Sequence, residues 1–236
     1  MHRRPSEPTP TSPGRPLVTA RPDGERLARP WEPLGRALLD YLDGDLEAAP
    51  VVSIDGGLRH RFPAAELFRA EGLPPAEELA LDLARGRVLD AGAGAGAHAL
   101  LLEAQGLEVV ALDLSPLAAE VMRRRGLRDV RCGDLLALRG ETFDTILLLM
   151  NGAGLAGDLA GLEPFLERCR RLLRPAGCLL VDSSDLRTTS DPNELAILTE
   201  RLRRGRYFGE VIFRMEYRDL VGEPFPWLFV DARTLR

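Results

Sequence analysis

The segment Arg87 to Leu102, R-V-L-D-A-G-A-G-A-G-A-H-A-L-L-L, decides the fold. A short apolar run, Val88-Leu89, ends at an acid, Asp90. After Ala91 come three glycines at alternate positions, Gly92, Gly94 and Gly96, and then an Ala/Leu-rich segment of helical character. This order reads as strand, tight glycine turn and helix N-terminus. Glycine permits positive φ and lets a ligand approach the backbone. The helix that follows turns free N–H groups and its positive dipole end toward that ligand, which suits a carboxylate or phosphate. A nucleotide-like cofactor is the leading expectation.

Two cofactor families fit the turn. Gly92-x-Gly94-x-x-Ala97 matches the loose dinucleotide fingerprint, with an acid, Asp113, about 20 residues further on. The fuller pattern D-x-G-x-G-x-G, from Asp90 to Gly96, resembles motif I of class I S-adenosylmethionine (SAM) methyltransferases. The segments downstream favour the second. Val109 to Leu112 is an apolar run of buried-strand length, and Asp113-Leu114 stands at its carboxyl end, where ligands bind in open α/β sheets. A carboxylate there accepts hydrogen bonds from a ribose diol; the plainer alternative is a solvated strand-end acid. Ser115-Pro116 opens the next helix, Ser as cap and Pro at the first helical position.

Gly133-Asp134-Leu135 is similar to the family's third-strand motif, which implies Asp134 on the adenine amino group and the Leu135 N–H on the ring. The alternative is an ordinary Gly-Asp turn. Phe143-Asp144 opening a strand over Thr145–Met150 is also a habit of this family, and it leaves Met150-Asn151 beside the reactive methyl. Leu172 to Asp182 resembles its helix, Pro-x-Gly turn and fifth strand, with Pro175 and Gly177 ending the helix. The resemblance covers roughly Glu77 to Ser184, and its force lies in the order of the segments. It implies an α/β, Rossmann-like, doubly wound and mostly parallel sheet with helices on both faces. The cofactor would be SAM, with S-adenosyl-L-homocysteine (SAH) as product, in a transferase of the EC 2.1.1 class. The implied cofactor residues are Asp90, Ala91, Gly92, Gly94, Gly96, Asp113, Leu114, Gly133, Asp134, Leu135, Met150 and Asn151.

Composition agrees. The chain has 236 residues, 45% of them hydrophobic, which is ordinary for one α/β domain with some decoration. Its formal charge of −5 argues against broad attachment to nucleic acid or anionic lipid. All 31 basic residues are arginine. Cys132, Cys169 and Cys178 are scattered, and the histidines at 2, 60 and 98 form no cluster, so neither a metal site nor disulfides are expected. No apolar run reaches membrane-spanning length, and no hydrophobic region follows Arg3-Arg4, so no membrane segment and a cytoplasmic location are expected.

Residues 1–30, rich in Pro, Arg, Ser and Thr, read as a disordered tail. Residues 31–85 read as an N-terminal cap. In it Leu34, Leu38, Leu39 and Leu42 have helical spacing, 51–57 is a short strand and turn, and 64–70 and 75–84 are helical. Tyr41, Phe68 and Arg69 are lid candidates by analogy, with packing of the cap on the sheet as the alternative. The SAM-binding core is 86–184. In 185–236 a polar loop precedes a helix over 194–204, and then an antiparallel hairpin in which Val211, Phe213, Met215 and Tyr217 share a face. Two readings of the hairpin stand: the sheet's final strand pair, or, the favoured one, a substrate-side hairpin in a shortened family member with an exposed fifth-strand edge. No catalytic base stands out; a neutral histidine is the commoner case for a helix-start residue such as His98. Asn151, Asp182 and Asp185 face the expected pocket, and Tyr207, Phe225 and Trp227 are candidate acceptor walls. The expected function is methyl transfer to a small-molecule acceptor. The rivals are an NAD(P)-binding oxidoreductase and a degenerate, non-catalytic methyltransferase-like domain.

Overall fold

The computed structural model describes residues 27–236. The expectations for the tail, for His2 and for Arg3-Arg4 lie outside the described residues, apart from residues 27–30. There Ala28 donates its N–H to the Val221 carbonyl at 2.8 Å and accepts from the Glu223 N–H at 2.9 Å.

The chain opens with helix α1 (Glu32–Leu42), the strands β1 (Val51–Ile54) and β2 (Leu58–Arg61), and helix α2 (Pro75–Leu83). Between β2 and α2 the expected helix over 64–70 is a single 3₁₀ turn, Ala64–Leu67, fixed on its N-terminal side by the extended Pro63. The core follows as β3 (Arg87–Ala91), α3 (Ala97–Ala104), β4 (Glu108–Asp113), α4 (Pro116–Arg124) and β5 (Asp129–Cys132). It continues through β6 (Phe143–Leu148), α5 (Leu159–Leu172) and β7 (Leu173–Val181). These five strands form one parallel sheet in the order β5-β4-β3-β6-β7, doubly wound as the sequence implies.

The inner strands β3, β4 and β6 are buried on both faces, which is why they carry the unbroken apolar runs Val88-Leu89, Val109–Leu112 and Ile146–Leu148. One face carries Leu89, Val110, Ile146 and Leu148 into the α5 side with Phe165, Cys169 and Leu172. The other carries Val88, Val109, Ala111 and Leu147 against α3 and α4 through Ala99, Leu102, Ala119 and Met122. The β6 strand ends at Leu148, two residues short of the apolar run, because Met150 and Asn151 both turn left-handed at φ 53° and 63°.

After β7 come α6 (Pro192–Arg203), β8 (Glu210–Tyr217), the short β9 (Leu220–Val221) and β10 (Phe225–Leu228). The C-terminal strands do not extend the parallel sheet. They join the N-terminal hairpin in a second, antiparallel sheet of order β10-β8-β1-β2, with β9 on β8. Segments read separately in the sequence, 31–85 and 185–236, thus share one sheet. Among the described residues β7 has a single ladder partner, β6, and beyond its end Ser184 donates to the Val230 carbonyl at 2.8 Å. The second sheet is tied to the core by α1. Its Gly35 lies so close to Ser115 and Leu117 that a Cβ would meet the Leu117 Cβ at 3.0 Å.

Candidate active site

The glycine turn leaves β3 at Ala91. Gly92 and Ala93 both donate to the Leu112 carbonyl, at 2.8 and 3.1 Å, which pins the turn to the end of β4. Gly96 caps α3 at φ 78°, and a Cβ there would come within 2.5 Å of Leu127 Cδ1. Left-handed backbone and close packing together require glycine at this position.

Asp90, at 3% exposure, is buried behind the turn. Burial pushes its carboxyl above the ordinary value, while His98 and the Ala99 N–H at the α3 N-terminus oppose the shift. Its Oδ2 has no hydrogen-bond partner. His98 gives its Nε2 to Glu77 Oε2 at 2.8 Å, and both residues are buried. Arg69 reaches the other Glu77 oxygen at 3.3 Å and Glu66 at 3.0 Å. A chain of polar contacts therefore runs from the cap, through Arg69 and Glu77, to His98 in the first turn of α3. Glu77 was not among the residues the sequence singled out. Nothing in its local pattern marks it, because its partner lies 21 residues away on another helix.

Asp113 ends β4 half-buried, held by two backbone donors: Gly94 N–H on Oδ2 at 2.9 Å and Ser115 N–H on Oδ1 at 2.8 Å. Its carboxyl is pushed up to about 6, chiefly by desolvation and against those two donors, with neighbouring Asp90 adding to the rise. Beside it Leu114 is 37% exposed, and Gly133 donates to the Asp113 carbonyl at 2.8 Å. Asp134 is exposed and caps the short turn Leu135–Ala137 by accepting the Leu136 N–H at 2.8 Å. The Leu135 side chain is buried in the core.

At the end of β6 the left-handed pair Met150-Asn151 is held by Asp182, whose two oxygens share the Asn151 N–H at 3.0 Å each. Such strain persists only where the surroundings impose it, and it concentrates at functional sites. Burial raises the Asp182 carboxyl, against the Asn151 N–H. Asp185 instead pairs with Arg187 at 2.8 Å, which holds its carboxyl low.

Over the glycine turn lies the cap. Leu67 stands 3.5 Å from where a Gly94 Cβ would be. Arg125 donates to the Ala95 carbonyl at 2.6 Å and lies 4.7 Å above the Phe68 ring, which packs on Tyr41 at 4.6 Å. On the other side Trp227 of β10 occupies the space a Gly154 side chain would need. Tyr207 spends its hydroxyl on Asp231 at 2.6 Å and packs on Phe208, apart from the Phe225–Trp227 cluster.

A glycine turn at the switch point of a doubly wound sheet, with acids at the ends of its first two strands, is the arrangement of nucleotide-cofactor-binding α/β domains. A family model described as a methyltransferase domain matches residues 89–181. The fold matches a SAM-dependent methyltransferase from Bacteroides fragilis, solved in complex with S-adenosyl-L-homocysteine. Identity is 40%, the TM-score is 0.76, and the match covers 89% of this chain and 85% of the other. The CcbJ methyltransferase from Streptomyces caelestis, 16% identical, shares the fold at a TM-score of 0.52 over 72% of this chain and 81% of its own. Over 119 residues the chain is 39% identical to the ubiquinone biosynthesis O-methyltransferase of Methylocella silvestris. The match takes in 48% of this chain and 45% of that enzyme, so it spans less than half of that relative.

The chain belongs to the SAM-dependent methyltransferase family. Its cofactor is SAM, and the NAD(P)-dependent reading falls away. The residues present fit that cofactor: a buried carboxylate oxygen without a partner suits the cationic amino group of its methionine end. Among the described residues no helix is long and apolar enough to cross a membrane, and no group of acids, histidines and cysteines has the arrangement to hold a metal ion.

Proposed function

We propose that this chain transfers the methyl group of SAM to a hydroxyl of a small-molecule acceptor. Trp227 seated against Gly154 carries the small-acceptor reading. Through that contact β10 packs on the turn that follows β6, at the carboxyl-end side of the parallel sheet, and a macromolecular substrate would have to displace it. The formal charge of −5 supports an acceptor that is neither nucleic acid nor an anionic membrane surface. The hydroxyl is taken from the O-methyltransferase name of the Methylocella relative.

When bound, SAM would supply an electrophilic methyl on a sulfonium, with SAH as the thioether left behind and the acceptor's proton passing to water. What the chain supplies is position, and alignment alone is worth up to ~7–11 kcal/mol of barrier in favourable cases. Asp113, oriented by Gly94 and Ser115, has lone pairs left for both ribose hydroxyls. Asp134 and the Leu135 N–H read the adenine edge, with Leu114 and Gly133 beside the ring. Ala91, Gly92, Gly94 and Gly96 offer backbone to the methionine end, and Asp90 takes its ammonium. Met150 and Asn151, held by Asp182, border the methyl.

Calorimetric titration with SAM, SAH and NADH tests the reading. Binding of the first two with NADH silent is expected. Asp113→Ala should weaken SAM by more than ~10-fold, since it removes two charge-assisted bonds. Unchanged affinity in a folded Asp113→Ala protein removes the ribose role. Failure of the folded wild-type chain to bind SAM favours a degenerate binding domain.

A further inference from the structure

The acceptor side of the site has a chemistry of its own. Strand register places Ile54 and Phe225 on either side of Phe213, and Val52 opposite Met215. With the two-residue alternation of strands, this sets Ile54, Phe213, Met215, Phe225, Trp227 and Phe229 on one face. The opposite face carries Ser53, Ile212, Arg214 and Glu216, and α6 borders it: Ile212 shares a groove with Ala196, Ile197 and Arg201, and Arg201 pairs with Asp55. The aromatic face is turned to the other side. At its Tyr217 end α1 covers it, Tyr217 donating its hydroxyl to Asp40 at 3.1 Å. At its Trp227 end it meets the turn that continues from Met150-Asn151. The rings are half-buried and ordered around Phe213. Trp227 lies 5.9 Å away and nearly parallel, at 15°, while Phe225 and Phe229 stand edge-on at 5.9 and 5.8 Å. Along β1, β8 and β10 this face carries no charged side chain.

We propose that this aromatic face is the acceptor wall and that it takes a planar, uncharged aryl ring bearing the hydroxyl to be methylated; this rests on the small-acceptor reading above. A flat ring slides against Trp227 and Phe213 in the offset-stacked and edge-to-face arrangements that the wall already uses. A charged acceptor, an amine or a carboxylate, would lose its hydration there without gaining a partner. In the transfer the aryl oxygen gains the methyl and its proton goes to water, so no base on the wall is required.

The test is calorimetry on the full chain saturated with SAH, titrated with catechol and 2-naphthol and, as a saturated counterpart, with cyclohexanol. Both aryl probes should bind, with cyclohexanol at least ~10-fold weaker. Trp227→Leu should weaken the aryl probes by roughly 10-fold while SAH affinity stays within about twofold, and Phe213→Leu, a change in the same wall, should do likewise if the first variant folds poorly. Equal binding of cyclohexanol, or aryl binding untouched by both variants, overturns the proposal. Aryl probes that stay silent while SAH binds overturn the aryl wall alone; SAH that does not bind overturns the catalytic reading with it.

Discussion

Three carboxyls at the strand ends, Asp90, Asp113 and Asp182, are raised above their ordinary values, each mainly by loss of water around it. A carboxyl whose folded value exceeds its unfolded one holds its proton more tightly in the native state. The stability it contributes is full below its unfolded value and is lost as pH rises through the folded value, which for Asp113 is about 6. The ligand-free chain should therefore lose stability from pH 5 to pH 7 through Asp113. The cationic end of SAM reverses the preference, so the rise in melting temperature that SAM produces should be larger at pH 7 than at pH 5. Asp90→Asn replaces a buried carboxyl, whose charged form burial disfavours, with a neutral amide. It should stabilise the ligand-free protein at pH 7 while weakening SAM, the trade expected of a residue kept for function. Thermal melts at both pH values, with and without SAM, check this; an Asp90→Asn protein that melts lower and binds SAM normally contradicts it. Asp90 and Asp113 were legible in the sequence because acid and glycines stand in fixed local spacing. The Glu77–His98 pair was not, since only tertiary packing brings the two together.

Between cap and core the decisive element is the turn Ala64–Leu67 with the residues just after it. Arg125 fastens it: one nitrogen holds the Ala95 carbonyl of the glycine turn, a second reaches the Phe68 carbonyl at 3.5 Å, and the guanidinium covers the Phe68 ring. Burial holds the Arg125 guanidinium below its usual range, yet it remains charged at any physiological pH. Arg125→Met keeps the packing stem and removes the bonds and the cation, a loss of about 1–3 kcal/mol. Amide exchange over residues 62–70 should quicken and SAM affinity should fall; exchange that stays as slow as in the wild type would show that the cap holds without Arg125. The sequence made the inner parallel strands readable, because a strand buried on both faces carries an apolar run; β5, with Asp129 and Arg131, carries none and was legible only through the Gly133-Asp134-Leu135 motif that follows it. Periodicity missed the true end of β6, where the apolar Met150 is recruited into a left-handed turn. It also lengthened the 64–67 turn into a helix, since Ala, Glu and Leu favour helix wherever tertiary contacts do not decide.

At the scale of the whole molecule, the second sheet joins the two ends of the described chain across the core, and local patterning cannot report such a pairing. The alternation in β8 was visible; its partner β1 lies some 160 residues earlier, as the pair Ile54 and Phe213 shows. The two strands of the N-terminal hairpin have four residues each, and a lone two-stranded hairpin is marginal in water. Their order depends on β8, and through β8 on β10 and its seat at Gly154. Ending the chain at residue 205 removes these partners and leaves the parallel sheet its own two-faced core. Trypsin should then cut at Arg59 and Arg61 at least ~10 times faster than in the full chain, the rise expected once local opening costs about 1.4 kcal/mol less. Residues 87–181 should stay protected. If the hairpin remains as resistant as before, α1 and the 64–67 turn hold it unaided, and its order does not depend on β8.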